Sequence, residues 1–390
     1  MNDHAKKASL LSLIGVASVW FGNHAGGGFA SGNQATQYFV HLGWTSAIMP
    51  FITIAIMALT LREAIIMANC HGFLTYKELF RELYSPYSKL EIVFEIYFYL
   101  ILLSAVGAAI AGAATLFEDL GTPYAVAVLI VGVILFFLTI FGAKMVTKAQ
   151  TILSVVILVS CAIIFATGIA ARSGVLGTIL VERQSTSAVG FTDHSIWQPI
   201  WNSLTYGGFQ YSVLPAFVSC AAFIKRPKDA TKAAFLGFLM NGLALGASCW
   251  MLLGWYQEYS LDASGSTLPT LFICKQIGIP ALQYLYTIAL FACFVSTGVS
   301  VVYGFITRFE KETFIAKKIS NLSVRRGVLS LGSMAFCMAF SLMGLNNVVK
   351  YGYGLCGIIG VFVVTIPFLT IGAAKNRKYL KEHANDVPKD

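Results

Sequence analysis

Residues 22–34 read GNHAGGGFASGNQ and set three consecutive glycines, Gly26, Gly27 and Gly28, among Asn23, His24, Ser31, Asn33 and Gln34. Glycine costs about 1 kcal/mol relative to alanine inside a helix, so this run favours a helix break. At a break, the last carbonyls of one helix face a cation and the first N–H groups of the next face an anion. Residues 201–217, WNSLTYGGFQYSVLPAF, repeat the pattern more weakly with Gly207, Gly208 and Pro215. A third polar set is the adjacent pair Ser296 and Thr297 within FACFVSTGVS, residues 291–300. These residue types suit reversible binding of ions and polar solutes. No His, Cys or acid cluster has the spacing of a metal centre or an activated nucleophile, so neither an enzyme nor a resident cofactor is expected.

The elements that hold these residues are apolar. The 390 residues are 57% hydrophobic and 12% charged, with a mean hydropathy of +0.73, against roughly 25% charged in soluble domains. Apolar runs of about 20 residues recur end to end, which predicts one polytopic membrane domain over residues 1–390 embedded in a lipid bilayer. The net charge of +9 forms no basic stripe interleaved with aromatics, so nucleic acid is not an expected partner. Cys70, Cys161, Cys220, Cys249, Cys274, Cys293, Cys337 and Cys356 include no CxxC pair. Most fall in apolar runs, where cysteine behaves as a small hydrophobe.

Ten membrane segments are predicted, at about 8–39, 44–68, 88–117, 122–142, 148–171, 197–223, 232–256, 281–307, 327–345 and 348–373, with a short amphipathic helix at 74–83. Lys6 and Lys7 ahead of an apolar run imitate a secretory signal. The hydrophobicity resumes after the glycine cluster, and the flanking charges make sense only if the first segment stays. With both ends cytoplasmic, all of the 27 Lys and Arg residues except Arg172, Arg183, Lys275 and Lys350 lie inside, a strong positive-inside bias. Gly207 follows Gly27 by about 180 residues. Five segments per half make the second half, 197–373, enter from the side opposite the first, 8–171, as an inverted repeat. Glycines also serve close helix packing, the favoured reading for GLALG (242–246). Packing wants small residues one turn apart on one face, whereas Gly26–Gly28 are consecutive and flanked by polar side chains.

With these motifs in place, the chain resembles the LeuT-fold transporters of the amino acid, polyamine and organocation superfamily. GGGFASG (26–32) is similar to the break of their first helix, YGGFQ (206–210) to the break of their sixth, and FIKRPKDATKAA (223–234) to the basic loop that follows. Over the whole chain it resembles the YkvI-like group of bacterial membrane proteins. The resemblance implies an all-α integral membrane fold of ten helices in a 5+5 inverted repeat, with helices 1 and 6 broken at mid-membrane. It also implies a sodium ion held by the carbonyls of Gly22 and Ala25 together with Phe294, Ser296 and Thr297. Read without it, the Ser–Thr pair bonds to the carbonyls of its own preceding turn. A second sodium would sit at Asn241, although Leu204 stands where its hydroxyl ligand is wanted, between Ser203 and Thr205.

In amine-selective members of the family that the chain resembles, an aspartate in the first break pairs with the ammonium, and no acid lies between Asp3 and Glu63 here, so the resemblance implies a zwitterion rather than a purely cationic solute. Its carboxylate is expected on the amides of Gly26, Gly27 and Gly28, and its ammonium on carbonyls around Thr205, Tyr206 and Gly207. Phe29, Ser104, Phe209 and Gln210 would line its side chain, with His24 nearby. Glu63 resembles a glutamate that braces the sixth-helix break, or else pairs at the surface with Arg62 or Lys77. The expected function is sodium-coupled symport of an amino acid or derivative by alternating access, in a bacterial inner membrane, as a monomer or homodimer. One rival is a proton-coupled or exchanging transporter in which His24 or Glu63 titrates. Another is a membrane solute sensor or accessory subunit.

Overall fold

The computed structural model describes residues 8–70, 72–73, 75–310 and 313–382; Lys6, Lys7 and Leu74 lie outside them. Among the described residues all regular structure is helical. The first segment is three short helices, α1 (Leu10–His24), α2 (Gly27–Ala30) and α3 (Asn33–Tyr38). The second is α4 (Met49–Cys70). The predicted amphipathic stretch forms α5 (Tyr76–Tyr84), started by a Thr75–Glu78 capping box. α6 (Glu91–Glu118), α7 (Tyr124–Phe137) and α8 (Ala143–Ala171) follow.

The polar break expected between the fourth and fifth segments is not a loop. A π turn at Leu138–Gly142 runs directly into α8, because AKMVTKAQ (143–150) contains no proline or glycine to stop a helix. α8 then bends by 71° into α9 (Ser173–Val181).

The second half begins with α10 (Trp197–Gln210) and α11 (Leu214–Cys220), joined by a 3-10 turn at Tyr211–Val213. α12 (Pro227–Leu261), the short α13 (Ala263–Thr267) and α14 (Pro269–Ile277), and α15 (Pro280–Phe309) come next. α16 (Thr313–Lys318) leads to α17 (Leu322–Ser341). The last segment is a chain of turns containing α18 (Leu345–Asn347), α19 (Gly354–Gly360) and α20 (Ala373–Glu382), separated by π turns.

Six of these helical spans are each long and apolar enough to cross a bilayer, and the bent α8–α9 pair is a seventh. The ten predicted segments are consistent with this once the interrupted first and sixth segments and the less apolar, 20-residue α17 are added. α12 packs on α1 and α4, α15 on α6, α8 and α2, and α10 on α4 and α19, so the interrupted segments lie in the middle of the bundle. Large apolar side chains such as Val133, Ile288, Leu331 and Leu355 point outward, which matches contact with lipid rather than water.

Basic and acidic groups sort to the two ends. At one end the Ala8 amide donates to Asp229, Lys77 pairs with Glu95, Arg81 with Glu91, and Lys375 with Glu82. At the other, Arg172 pairs with Glu258 at 2.7 Å. Asp119 there takes both Lys275 at 3.1 Å and the Ser264 hydroxyl at 2.6 Å.

Candidate functional site

The first segment breaks where its glycines stand. The Ala25 N–H still reaches the Phe21 carbonyl at 2.8 Å, but the chain then turns and Gly26 is extended (φ −74°, ψ −177°). The next N–H to close a helical turn is that of Ala30, onto the Gly26 carbonyl at 3.0 Å. The amides of Gly26, Gly27 and Gly28 therefore head a new turn without helical acceptors, and the carbonyls from Gly22 to Ala25 end the old one.

A second kink follows at Gly32, whose φ of +80° only glycine adopts easily. There the freed carbonyls are met: Gly28 by the Ser31 hydroxyl at 2.9 Å, Ala30 by the Tyr286 hydroxyl at 2.5 Å, and Ser31 by the Thr270 N–H at 3.0 Å. Asn33 ties this stretch to the Thr267 carbonyl at 2.9 Å and to Asn346 at 2.5 Å. Satisfied backbone is the condition for irregular chain at membrane depth.

The eighth segment lies directly against the break. A Cβ on Gly26 would stand 3.8 Å from the Thr297 hydroxyl, and one on Gly27 would enter the Phe294 ring at 2.4 Å. The same ring fills the space over Gly112, where a Cβ would come within 2.3 Å. Phe294 is thus wedged between the first and third segments, at the sites of two missing side chains. The Ser296 hydroxyl donates to the Cys293 carbonyl at 3.1 Å, which leaves its lone pairs available. The structure places Gly26, the residue after Ala25, beside the Thr297 hydroxyl.

His24 ends α1 and is buried. Its Nδ1 lies 2.8 Å from Asn241 Oδ1 and its Nε2 lies 2.7 Å from the Tyr206 hydroxyl. The Asn241 amide nitrogen donates to the Gly237 carbonyl at 2.8 Å, which orients the amide so that Oδ1 accepts from His24 Nδ1–H. The remaining nitrogen of the neutral ring then accepts from Tyr206. Asn241 therefore serves the histidine, and the one oxygen proposed for a second sodium already holds a hydrogen bond.

The second break is milder than expected and falls later. Gly207 and Gly208 lie inside α10, which runs unbroken to Gln210 before the 3-10 turn at Tyr211–Val213. A Cβ on Gly208 would meet the Gly357 carbonyl at 2.1 Å, and one on Gly357 would meet the Thr205 carbonyl at 2.4 Å. Here glycine packing, the alternative weighed for such runs, is what the residues do: α10 and α19 touch backbone to backbone.

One expectation changes with this. The carbonyls of Thr205 and Tyr206 belong to a continuous helix and Thr205's is covered by Gly357; the carbonyls past the last full turn are those at the end of α10, Gly207–Gln210. Within that end, Gly208's carbonyl already accepts from the Tyr97 hydroxyl at 2.6 Å. The Thr205 hydroxyl likewise turns to its own helix, onto the Trp201 carbonyl at 3.0 Å.

Glu63 does not brace the sixth segment. Its carboxylate pairs with neighbouring Arg62 and accepts from Asn376 Nδ2 at 2.8 Å, joining α4 to α20. The 3-10 turn is held instead by Tyr211, whose hydroxyl donates to Thr60 at 3.1 Å and accepts from Thr365 at 3.2 Å. Thr60 is one helical turn before Glu63, and the pairing of Glu63 with Arg62 is the alternative that the sequence offered.

Of the predicted lining, Phe29 contacts His24 with ring centroids 5.1 Å apart, and Phe209 stacks on Tyr353 at 4.7 Å. Ser104 donates to the Leu100 carbonyl at 2.8 Å and lies 3.9 Å from Cys356. Sequence reasoning missed Tyr38, Tyr97, Tyr211 and Tyr353. The available signal was a phenol inside an apolar run, since a buried tyrosine needs a partner for its polar end. Outside the bilayer, Asp193 accepts from the Ser187 N–H at 2.9 Å and hydroxyl at 2.6 Å, and these bonds hold its carboxyl below the usual range.

The chain path matches solved transporter structures and defines the LeuT fold. A Na+-coupled sialic acid symporter in a substrate-bound outward-open state is similar at a TM-score of 0.58 and 13% identity, covering 93% of this chain and 89% of that one. MhsT in complex with L-phenylalanine gives 0.58 and 14%, covering 98% and 96%. The manganese transporter of Eremococcus coleocola gives 0.55 and 17%, covering 92% and 78%. No protein-family model matches the sequence, and no curated protein matches it by sequence.

Proposed function

We propose that this protein is a sodium-coupled secondary transporter of a small zwitterionic solute, an amino acid or derivative, working by alternating access. The observation that carries the reading is the first-segment break. Amides at Gly26, Gly27 and Gly28 without helical acceptors follow the carbonyl end of α1, and Gly26 lies beside the Thr297 hydroxyl, within a LeuT fold. The solute carboxylate sits on the three amides. Its ammonium faces the end of α10, and its side chain lies among Phe29, Ser104, Phe209 and Gln210. Sodium takes the carbonyls of Gly22, Ala25 and Phe294 with the hydroxyls of Ser296 and Thr297, an all-oxygen set suited to a hard cation. A Na+-coupled symporter and a phenylalanine complex among the similar structures support this choice.

In this reading residues 8–171 and 197–373 are the two inverted repeats, in a bacterial inner membrane with both ends cytoplasmic, and the chain is a member of the YkvI-like group that it resembles. One sodium charge moving through 100 mV supplies about 2.3 kcal/mol, enough for roughly fifty-fold accumulation. The test is thermal stability of the purified protein across a panel of amino acids in sodium or potassium at several pH values. Stabilisation by a zwitterion that requires sodium is expected. Stabilisation indifferent to sodium but shifted by pH would overturn sodium coupling in favour of protons.

A further inference from the structure

Tyr38 ends α3 deep in the bundle, and its side chain is almost fully buried at 6% exposure. Among the described residues no hydrogen-bond partner meets its hydroxyl, although buried phenols nearly always have one. The residue is not free to turn elsewhere. Its carbonyl accepts from the Asn202 side chain at 2.9 Å, which anchors the first segment to the sixth. Its ring packs against Tyr206 and Phe209, with centroids 5.4 and 5.3 Å away.

Phe209 is stacked in turn on Tyr353 of the last segment, with ring planes 13° apart. Tyr353, Cys356 and Tyr206 are polar neighbours of the Tyr38 phenol, and Cys356 leads on to Ser104 of the third segment. Four segments thus converge on one rigid, unpaired hydroxyl. Two of them supply residues, Ser104 and Phe209, already placed against the solute side chain.

We propose that Tyr38 determines specificity: its hydroxyl donates to an oxygen on the solute's side chain, so the site prefers zwitterions with a carboxamide or hydroxyl over hydrocarbons of equal size. This rests on the zwitterion reading above. A site built around a hydrogen bond rejects the analogue that lacks it, because the protein's own group is then left unpaired. Phe209 adds contact area and no polarity, while the Tyr206 hydroxyl is held by His24 and Gln210 and the Ser104 hydroxyl by the Leu100 carbonyl, which leaves Tyr38 as the unpaired hydroxyl among them.

The experiment measures binding of two near-isosteric pairs, L-glutamine against L-methionine and L-tyrosine against L-phenylalanine, to the purified full chain in sodium. In the wild type the polar member of at least one pair should bind at least about tenfold tighter, the scale of one well-formed hydrogen bond. Tyr38→Phe keeps the ring and should bring that ratio to about one. Without solute, Tyr38→Phe should unfold at the same or a higher temperature, because the hydroxyl it removes bonds to nothing. A wild type that favours the apolar member of both pairs, an unchanged ratio in Tyr38→Phe, or a lower unfolding temperature of that variant would each overturn the proposal. Binding of none of the four probes would overturn the zwitterion reading itself and this inference with it.

Discussion

His24 Nε2 and the Tyr206 hydroxyl lie 2.7 Å apart and join the carbonyl end of α1 to the sixth segment, while Asn241 holds the other ring nitrogen to the seventh. The imidazole is a three-way clasp at the first break, so any movement of α1 against its neighbours must break one of these bonds. Tyr206→Phe leaves His24 with an unmet acceptor in a buried site, a loss of about 1–3 kcal/mol. Thermal unfolding should show that loss. A double-mutant cycle with Asn241→Leu should show coupling of at least about 0.5 kcal/mol, because both act through one ring.

The adjacent glycines of the sixth segment should behave differently. A Cβ on Gly207 meets the flexible Met57 side chain at 3.2 Å, whereas one on Gly208 meets the Gly357 carbonyl at 2.1 Å. Gly207→Ala should therefore cost less than about 1.5 kcal/mol, as a tolerated packing change. Gly208→Ala forces α10 and α19 apart and should abolish a stable fold, read as loss of a monodisperse, cooperatively unfolding species in detergent. Equal effects at the two positions would contradict the backbone contact.

Sodium supplies a third check. If the ion sits between the first break and the eighth segment, sodium at a hundred times its dissociation constant adds about 2.7 kcal/mol to stability. The Ser296→Ala/Thr297→Ala double variant should lose that sodium-dependent rise in unfolding temperature. Retention of the full rise would remove these hydroxyls from the ion site.

Phe294 offers a related measurement. Gly27→Ala drives a methyl into its ring and should destabilise by roughly 1–3 kcal/mol. Adding Phe294→Ala should recover part of that loss, since the two residues compete for one space.

Glu63 and Tyr211 separate two roles that one position was expected to fill. Glu63→Gln and Asn376→Ala should be non-additive in unfolding, because they share a hydrogen bond. Glu63→Gln and Tyr211→Phe should add independently. Strong coupling in the second pair would restore the expected brace.

Much of this architecture was written in the sequence. Low charge and recurrent apolar runs determine a polytopic helical protein, because a bilayer core accepts only chain whose backbone groups are paired internally. Gly26, Gly27 and Gly28 among polar residues determine a break in the first segment, and Thr75 with Glu78 determines the start of α5. These signals are local: each residue acts through its own conformational preference or through neighbours a few positions away.

What only the tertiary structure decided is which partner each group meets. Gly207 and Gly208 read as a break, yet α10 continues through them because α19 presents its own glycines and the two backbones close on each other. The choice of Thr60 over Glu63 as the brace depends on where Tyr211 reaches from a 3-10 turn, and no spacing encodes that. Asn241 became a partner of His24, and Tyr38 was left with an unpaired hydroxyl, because residues 217 positions apart meet only after the whole bundle has packed. Hydrogen bonds and close packing act over a few ångströms, so their partners are a property of the assembled helices.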